Sequence, residues 1–410
     1  MNFLGTRRIY LDYASATPLD PAAAREMARA AQVIGNPGAI HAEGVEASLE
    51  LEHARQRLAH ELGCKSREIV FVSGGTEANN LALLGLARKL ETKMRTLSGT
   101  HWLVSSIEHP SVLECFSEIE RLGGNVSHVA PDGRGIISPE AVKRHLKKET
   151  VCVSVGWANN EIGTIQPLSQ IARVIRAHEK THPIRDPSGS NGASKTRIVF
   201  HSDAGQAPLY LATTVHSLGV DMFTLDSAKL YGPRGIGVVY LNNTVELSAI
   251  NMGGAQERGL RPGTENVALA AGFAEALAVR AQSRDAEGKR MRVLRDVLAA
   301  ALLKELPDAV INGDLKFSLP HMLNISLPNI QSEYITLALD HAGVAISTKS
   351  ACREGQERRS HVVEALVPPA LSEVEGWRAE NTLRISLGDE TQKKDLQRFV
   401  DTLRTVVSNS

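Results

Sequence analysis

Lys229 closes the apolar run Met222-Phe223-Thr224-Leu225-Asp226-Ser227-Ala228, and the turn Tyr231-Gly232-Pro233-Arg234-Gly235 follows at once. An amine at a strand end, held by a stiff glycine and proline turn and backed by a second strand from Ile236 to Leu241, is placed to form a Schiff base. Taken alone, such a lysine is more often a surface residue beside a hairpin. Its neighbours change the reading. The strand Ile198-Val199-Phe200 runs into His201-Ser202-Asp203-Ala204-Gly205-Gln206, which offers a carboxylate, Asp203, to a ring nitrogen. Lysine plus strand-end aspartate suggests pyridoxal phosphate, with Asp203 keeping the ring protonated as an electron sink and Gln206 in reach of the phenolic oxygen.

Three more strand ends suit the same ligand. Val72-Ser73-Gly74-Gly75-Thr76-Glu77 passes from a strand into a helix, so free N–H groups, the helix dipole and the Thr76 hydroxyl can hold a phosphate. A plain βα turn has the same look. His109, in Glu108-His109-Pro110, can stack on a flat ring or move protons near neutral pH, although strand-end histidines are commonly structural. In Asn159-Asn160-Glu161-Ile162-Gly163-Thr164 either amide can hold a ring hydroxyl, or serve only the turn.

The elements that must position these groups alternate along the chain. The pattern predicts a helix over 46–62, a strand over 68–72, a helix over 77–90 and a strand over 102–107. It continues with a helix over 111–122, a strand over 126–130, a helix from Pro139, a strand over 151–155 and a helix over 168–179. Such alternation means βαβ units and a mainly parallel sheet, with ligands at the carboxyl ends of the strands. His182 to Thr196 reads as a surface loop, and 266–305 as a long helical connection between two domains. Beyond it come strands near 322–327, 344–347 and 383–387, a helix over 333–342 and a final helix over 392–407. The 410 residues exceed one compact core. The expected fold is α/β, with a large domain over 18–262 and a smaller α+β domain built from 1–17 and 263–410.

Apolar and charged contents of 42% and 22% are ordinary for a globular chain. Lys+Arg and Asp+Glu both number 46, so no basic field draws the chain to nucleic acid or an anionic membrane. No run is long enough to span a bilayer, and the first residues lack the pattern of a signal peptide, which predicts a cytoplasmic protein. The cysteines at 64, 115, 152 and 352 have no C-x-x-C pairing, which argues against a disulfide framework and a zinc site. Cys152 reads as core, whereas Cys352 lies in the polar loop Lys349 to Gly355.

Nine motifs now stand in order: Leu11 to Pro18, Gly35-Asn36-Pro37 with His41, Ser73 to Asn80, Glu108-His109, Asn159 to Thr164, His201 to Gln206, Lys229 to Gly237 with Gly253 to Thr264, Ser350-Ala351-Cys352, and Leu383 to Gly388. In them the chain resembles the cysteine desulfurases of the class V aminotransferase, fold-type I pyridoxal-phosphate family, nearly end to end. The resemblance implies that Gly75 and Thr76 hold the phosphate, His109 stacks on the ring, and Asn160 and Gln206 contact the phenolic oxygen. It implies that Asp203 pairs with the ring nitrogen and that Lys229 is the Schiff-base lysine. Asn160 and Arg384 would hold the substrate, Arg384 gripping its carboxylate; Cys352 would be the nucleophile, and Thr264 would reach the phosphate of a second subunit in a homodimer. L-cysteine and a sulfur-accepting protein, of iron–sulfur assembly or tRNA thiolation, are the implied partners.

One departure stands out. Where the family usually has Ser-x-His before the lysine, this chain has Asp226-Ser227-Ala228, which removes two phosphate-side groups and brings a like charge near the phosphate. Pro368 to Ala379 reads as a lengthened loop. The rival readings are a selenocysteine lyase or another class V enzyme, and a catalytically weakened partner of sulfur acceptors.

Overall fold

The computed structural model describes residues 7–182, 197–348 and 359–409. Its strands in chain order are β1 (Ile9–Tyr10), β2 (Ile69–Val72), β3 (His101–Ser105), β4 (Asn125–Val129), β5 (Thr150–Ser154) and β6 (Val199–Asp203). They continue as β7 (Met222–Asp226), β8 (Gly237–Leu241), β9 (Val310–Ile311), β10 (Met322–Ser326), β11 (Val344–Ala345) and β12 (Thr382–Ser386).

Seven strands form one sheet in the order β2-β8-β7-β6-β5-β3-β4. From β4 to β7 all pairings are parallel, and only β8 runs against its neighbours β2 and β7. The central strands are short Val, Leu and Phe runs buried on both faces, as a sheet covered on two sides requires. Trp102, Val104 and Val239 pack beneath the helices Gly75–Met94 and Pro110–Arg121, the second of which contributes Phe116 to the same core. Phe71, Leu103, Phe200 and Phe223 fill the opposite core with the helices Ala42–Leu62 and Leu168–Thr181. The antiparallel register sets Gly237 opposite both Val72 and Asp226. The carboxyl ends of β2, β3, β5, β6 and β7 therefore share one edge.

A second core lies on the antiparallel sheet β12-β10-β9 and the parallel pair β1-β11. Bridges from Asp12 to Ser386 and from Ser347 to Arg384 join the two sheets. The helix Val267–Glu305 serves both cores: Phe273 and Leu277 pack with the large sheet, Met291, Leu298 and Leu302 with the small one. Among the described residues no helix is long and apolar enough to cross a membrane.

Several elements depart from the expectations. The helix expected from residue 46 starts at Ala42, because the His41 imidazole caps it by accepting from Gly44 N–H. An unforeseen helix, Pro21–Ala30, opens with Asp20 as its cap and proline in its first turn, a start signal present in the sequence. The stretch from Pro368 to Ala379 is not a plain loop: Pro369–Leu371, Ser372–Glu375 and Trp377–Glu380 are short helical turns. Proline there sets the entry angle of a turn rather than breaking one, and Arg378 ties the segment to Asn312 at 2.9 Å. The predicted loop around 182–196 and the Cys352 loop fall almost wholly outside the described residues.

Candidate functional site

A cavity opens at the shared strand edge, walled by Glu108, His109, Asn160, Asp203, Gln206 and Lys229. These wall residues come from four turns, and each turn is held by its own local chemistry.

Asp203 ends β6. Its Oδ1 accepts the Gly205 N–H at 2.9 Å and its Oδ2 accepts from Asn79 Nδ2 at 2.7 Å. Burial alone would raise its carboxyl. The Lys229 charge, that of His109 whenever its ring is protonated, and these two donors outweigh burial and hold it below the usual carboxylate range. Gly205 keeps the space beside it open: a Cβ there would stand 3.3 Å from Asp203 Oδ1 and 3.7 Å from Lys229 Nζ.

Lys229 ends a single 3₁₀ turn, Ser227–Lys229, whose first residue is preceded by Asp226; the Asp226 Oδ1 accepts the Ala228 N–H at 3.0 Å. Thr17 staples the same turn. Its N–H and hydroxyl donate to the Ala228 carbonyl at 2.9 and 3.0 Å, and its Oγ1 accepts the Tyr231 N–H at 2.7 Å. Tyr231 has a φ of 59°, a conformation that costs a non-glycine residue roughly 1 to 2 kcal/mol. The Tyr231 hydroxyl accepts from Asp389 N–H at 3.0 Å, and the Arg280 guanidinium lies 4.1 Å above the ring, which offsets that cost.

His109 caps the helix Pro110–Arg121: its Nδ1 accepts the Ser111 N–H at 3.1 Å, while Pro110 fills the first helical position without a donor to satisfy. The structural and functional readings of this histidine are therefore compatible. The adjacent Glu108 is buried, and burial pushes its carboxyl up to about 8; the Gly156 N–H at 2.8 Å works against the rise and the Asp203 charge adds to it. Of the two neighbouring amides, Asn159 serves the turn, accepting from Glu161 and Ile162 N–H and donating to the Ile107 carbonyl. Asn160 lines the cavity beside it. Gln206 is anchored by donating from Nε2 to the Ala14 carbonyl at 2.7 Å.

Arg384 is buried beside this wall. Its Nη1 donates to the Asn160 carbonyl at 3.1 Å, and its Nη2 to Asp12 Oδ1 at 2.8 Å and Ser15 Oγ at 2.5 Å. Among the described residues its buried Nε has no hydrogen-bond partner. Thus the N-terminal segment touches three parts of the site: Gln206 through Ala14, Arg384 through Asp12 and Ser15, and the Lys229 turn through Thr17.

Gly75 and Thr76 start their helix next to the cavity rather than on its wall. Gly74, with φ 157° and ψ −177°, occupies backbone space that only glycine enters readily, and no side chain caps the helix start. Asp226 faces this turn, its Oδ2 lying 3.3 Å from where a Gly75 Cβ would be. Thr264 lies apart, in an exposed groove with Phe71, Glu257 and Arg261. Cys352 falls outside the described residues. Sequence reasoning gave no role to Asn79, Ser111 or Asp12; a polar residue on the inward face of an apolar helix was the available signal for Asn79.

The class V aminotransferase family model matches residues 9–186 and 187–399. The chain is 35% identical over 98% of its length to the cysteine desulfurase IscS of Dictyoglomus turgidum, covering 95% of that protein. It is also 35% identical to cysteine desulfurase IscS 1 of Archaeoglobus fulgidus, over 97% of this chain and 96% of the relative. Among solved structures, a NifS-like protein superposes with a TM-score of 0.86 at 30% identity, covering 98% of this chain and 100% of its own. SspA, solved in complex with cysteine, gives a TM-score of 0.74 at 28% identity over 92% of this chain and 98% of its own. With both halves matched and relatives aligned end to end, this chain belongs to the class V aminotransferase family.

Proposed function

We infer that the protein is a pyridoxal-phosphate-dependent cysteine desulfurase, taking L-cysteine to L-alanine and an enzyme persulfide. The observation that carries the reading is the pairing of Asp203 and Lys229 across the space that Gly205 leaves open. A carboxylate held ionised by two donors suits a pyridinium nitrogen, and an amine within the same cavity suits the cofactor's aldehyde. The residues therefore fit the ring end of the group. At the phosphate end the uncapped turn of Gly75 and Thr76 would hold the anion beside Asp226.

When bound, the cofactor supplies a sink for the electrons released as the Cα proton leaves. Lys229 would take that proton, and Asp203 would hold the ring nitrogen's proton. Asn160 and Gln206 would hold the cofactor, with His109 beside them to hand on a proton at the substrate's sulfur. Arg384 holds the substrate carboxylate, for which its unpartnered Nε provides one donor. The Cys352 thiolate attacks the substrate sulfur: an S–S bond forms, the Cβ–S bond breaks, and its electrons stay with carbon, which takes up a proton to give alanine. Thr264 would serve the phosphate of a second subunit in a homodimer, and the persulfide passes to an acceptor protein. The two cores support a division into a large unit over 18–262 and a small one from 1–17 and 263–410.

The test is incubation with L-cysteine and an excess of a dithiol reductant, which frees the persulfide's outer sulfur as sulfide, scored for alanine and sulfide in equal amounts. Borohydride should trap a cofactor adduct in the wild type and none in Lys229→Ala. Cys352→Ser should keep the substrate-induced spectral change and release almost no sulfide. Trapping on another lysine, or normal sulfide release from Cys352→Ser, rejects the assignment.

A further inference from the structure

We propose that Asn79 is a positioning residue that ties Asp203 to His109 through Ser111 and thereby sets which imidazole nitrogen carries the proton. Asn79 lies on the second turn of the helix Gly75–Met94 and is 1% exposed. An ionised carboxylate can only accept, so the Asn79 atom 2.7 Å from Asp203 Oδ2 is the amide nitrogen. Its Oδ1 then faces Thr224, whose hydroxyl donates to it at 2.7 Å. The second amide proton goes to Ser111 Oγ at 2.9 Å. Having accepted there, Ser111 directs its own O–H at His109 Nδ1, 2.8 Å away, and its backbone N–H points at the same nitrogen from 3.1 Å.

Two donors converge on Nδ1, so that nitrogen carries no proton in the neutral ring and Nε2 does. One amide thus connects the ends of β3 and β6, between which β5 runs. The sheet spaces these backbones but does not choose the rotamer of a carboxylate or the tautomer of an imidazole. The network chooses both, and it leaves His109 a single exchangeable proton, on Nε2. The titratable neighbours of the ring are Glu108, Asp203 and Lys229; a substitution at 111 leaves all three in place, whereas one at 79 also removes a donor from Asp203.

The kinetic consequence rests on the desulfurase reading; the tautomer does not. Full-length protein with ¹⁵N-labelled histidine reads the tautomer directly, the His109 signals being identified by their loss in His109→Gln. The wild type should show at least a tenfold excess of the Nε2–H form. That excess should fall threefold or more in both Ser111→Ala and Asn79→Ala, and Ser111→Thr, which keeps the hydroxyl, should restore it. A predominant Nδ1–H form in the wild type, or an unchanged ratio in folded Ser111→Ala, overturns the proposal even if Asn79→Ala fails to fold. In the sulfide assay Asn79→Ala should lose about tenfold in kcat with KM within twofold. A wild type that releases no sulfide defeats the desulfurase reading alone, because the spectra decide the network.

Discussion

The ring end of the cavity and the glycine turn beside it are built in opposite ways. At Asp203 both oxygens are matched to donors, one a backbone N–H and the other an amide 1% exposed on a helix. At Gly75 and Thr76 the helix start has no side-chain cap, Thr76 is exposed, and the nearby charge is the wrong sign for an anion. The first is preorganised and shielded, so its energetics depend on geometry. The second is electrostatic and open, so its energetics depend on charge and salt. In the proposed enzyme the chemistry belongs to the rigid end and the tuning of cofactor affinity to the open one.

The largest effect that tests this contrast is expected at Asp203. Asp203→Asn keeps the shape and removes the charge, and kcat for desulfuration should fall by about 100-fold, roughly 2.7 kcal/mol of transition-state stabilisation. A loss under tenfold would erase the distinction between the ends.

Next comes Glu108, on the wall of the rigid end. Burial lifts its folded-state pKa to about 8, above the roughly 4.3 of an unfolded chain. The folded protein therefore binds the extra proton between these values, and its stability falls as pH rises through that window, by up to about 1.4 kcal/mol per unit. Thermal melts should show the wild type losing several degrees between pH 6 and 8, and Glu108→Gln nearly flat over the same range. Parallel curves for the two proteins would mean that the wall is wetter than its burial implies.

The smallest effect, and of opposite sign, is expected at Asp226. Asp226→Ser removes the like charge while its hydroxyl can still cap the Ala228 N–H. Relief of about 1 kcal/mol, the value for charges near 4 Å in a water-like medium, is several-fold tighter cofactor binding, and the gain should shrink at high salt. Titration of pyridoxal phosphate into the stripped proteins measures it. Unchanged or weaker binding would mean that capping, not repulsion, is what Asp226 contributes.

The sequence made the sheet legible because the central strands are continuous apolar runs separated by helices of clear period, and chemistry at parallel strand ends follows from that alone. His109, Asp203, Gln206, Asn160 and Lys229 could all be named, since each sits in a turn whose polar residues interrupt those runs. What escaped was the layer behind them. Asn79 lies within a helix whose pattern reads only as apolar, and Ser111 reads as an ordinary residue of a helix start. The pairing of Asp12 with Arg384 spans 372 residues, and no local pattern reports a contact of that reach. The choice between Asn159 and Asn160 was open for a related reason: turn chemistry and ligand contact use the same amide, and only the partners tell them apart.

The segment from Asp12 to Thr17 also imposes an order in time. Gln206 and the Lys229 turn lean on Ala14 and Thr17, residues already synthesised when they emerge, 192 and 211 positions earlier. Arg384 comes on the last strand, so until it emerges the Asp12 carboxylate waits beside the site without its cation. A growing chain therefore completes the lysine and carboxylate groups long before it completes the arginine, and a chain halted between residues 262 and 384 would carry the groups proposed for the cofactor without the arginine proposed for the substrate carboxylate.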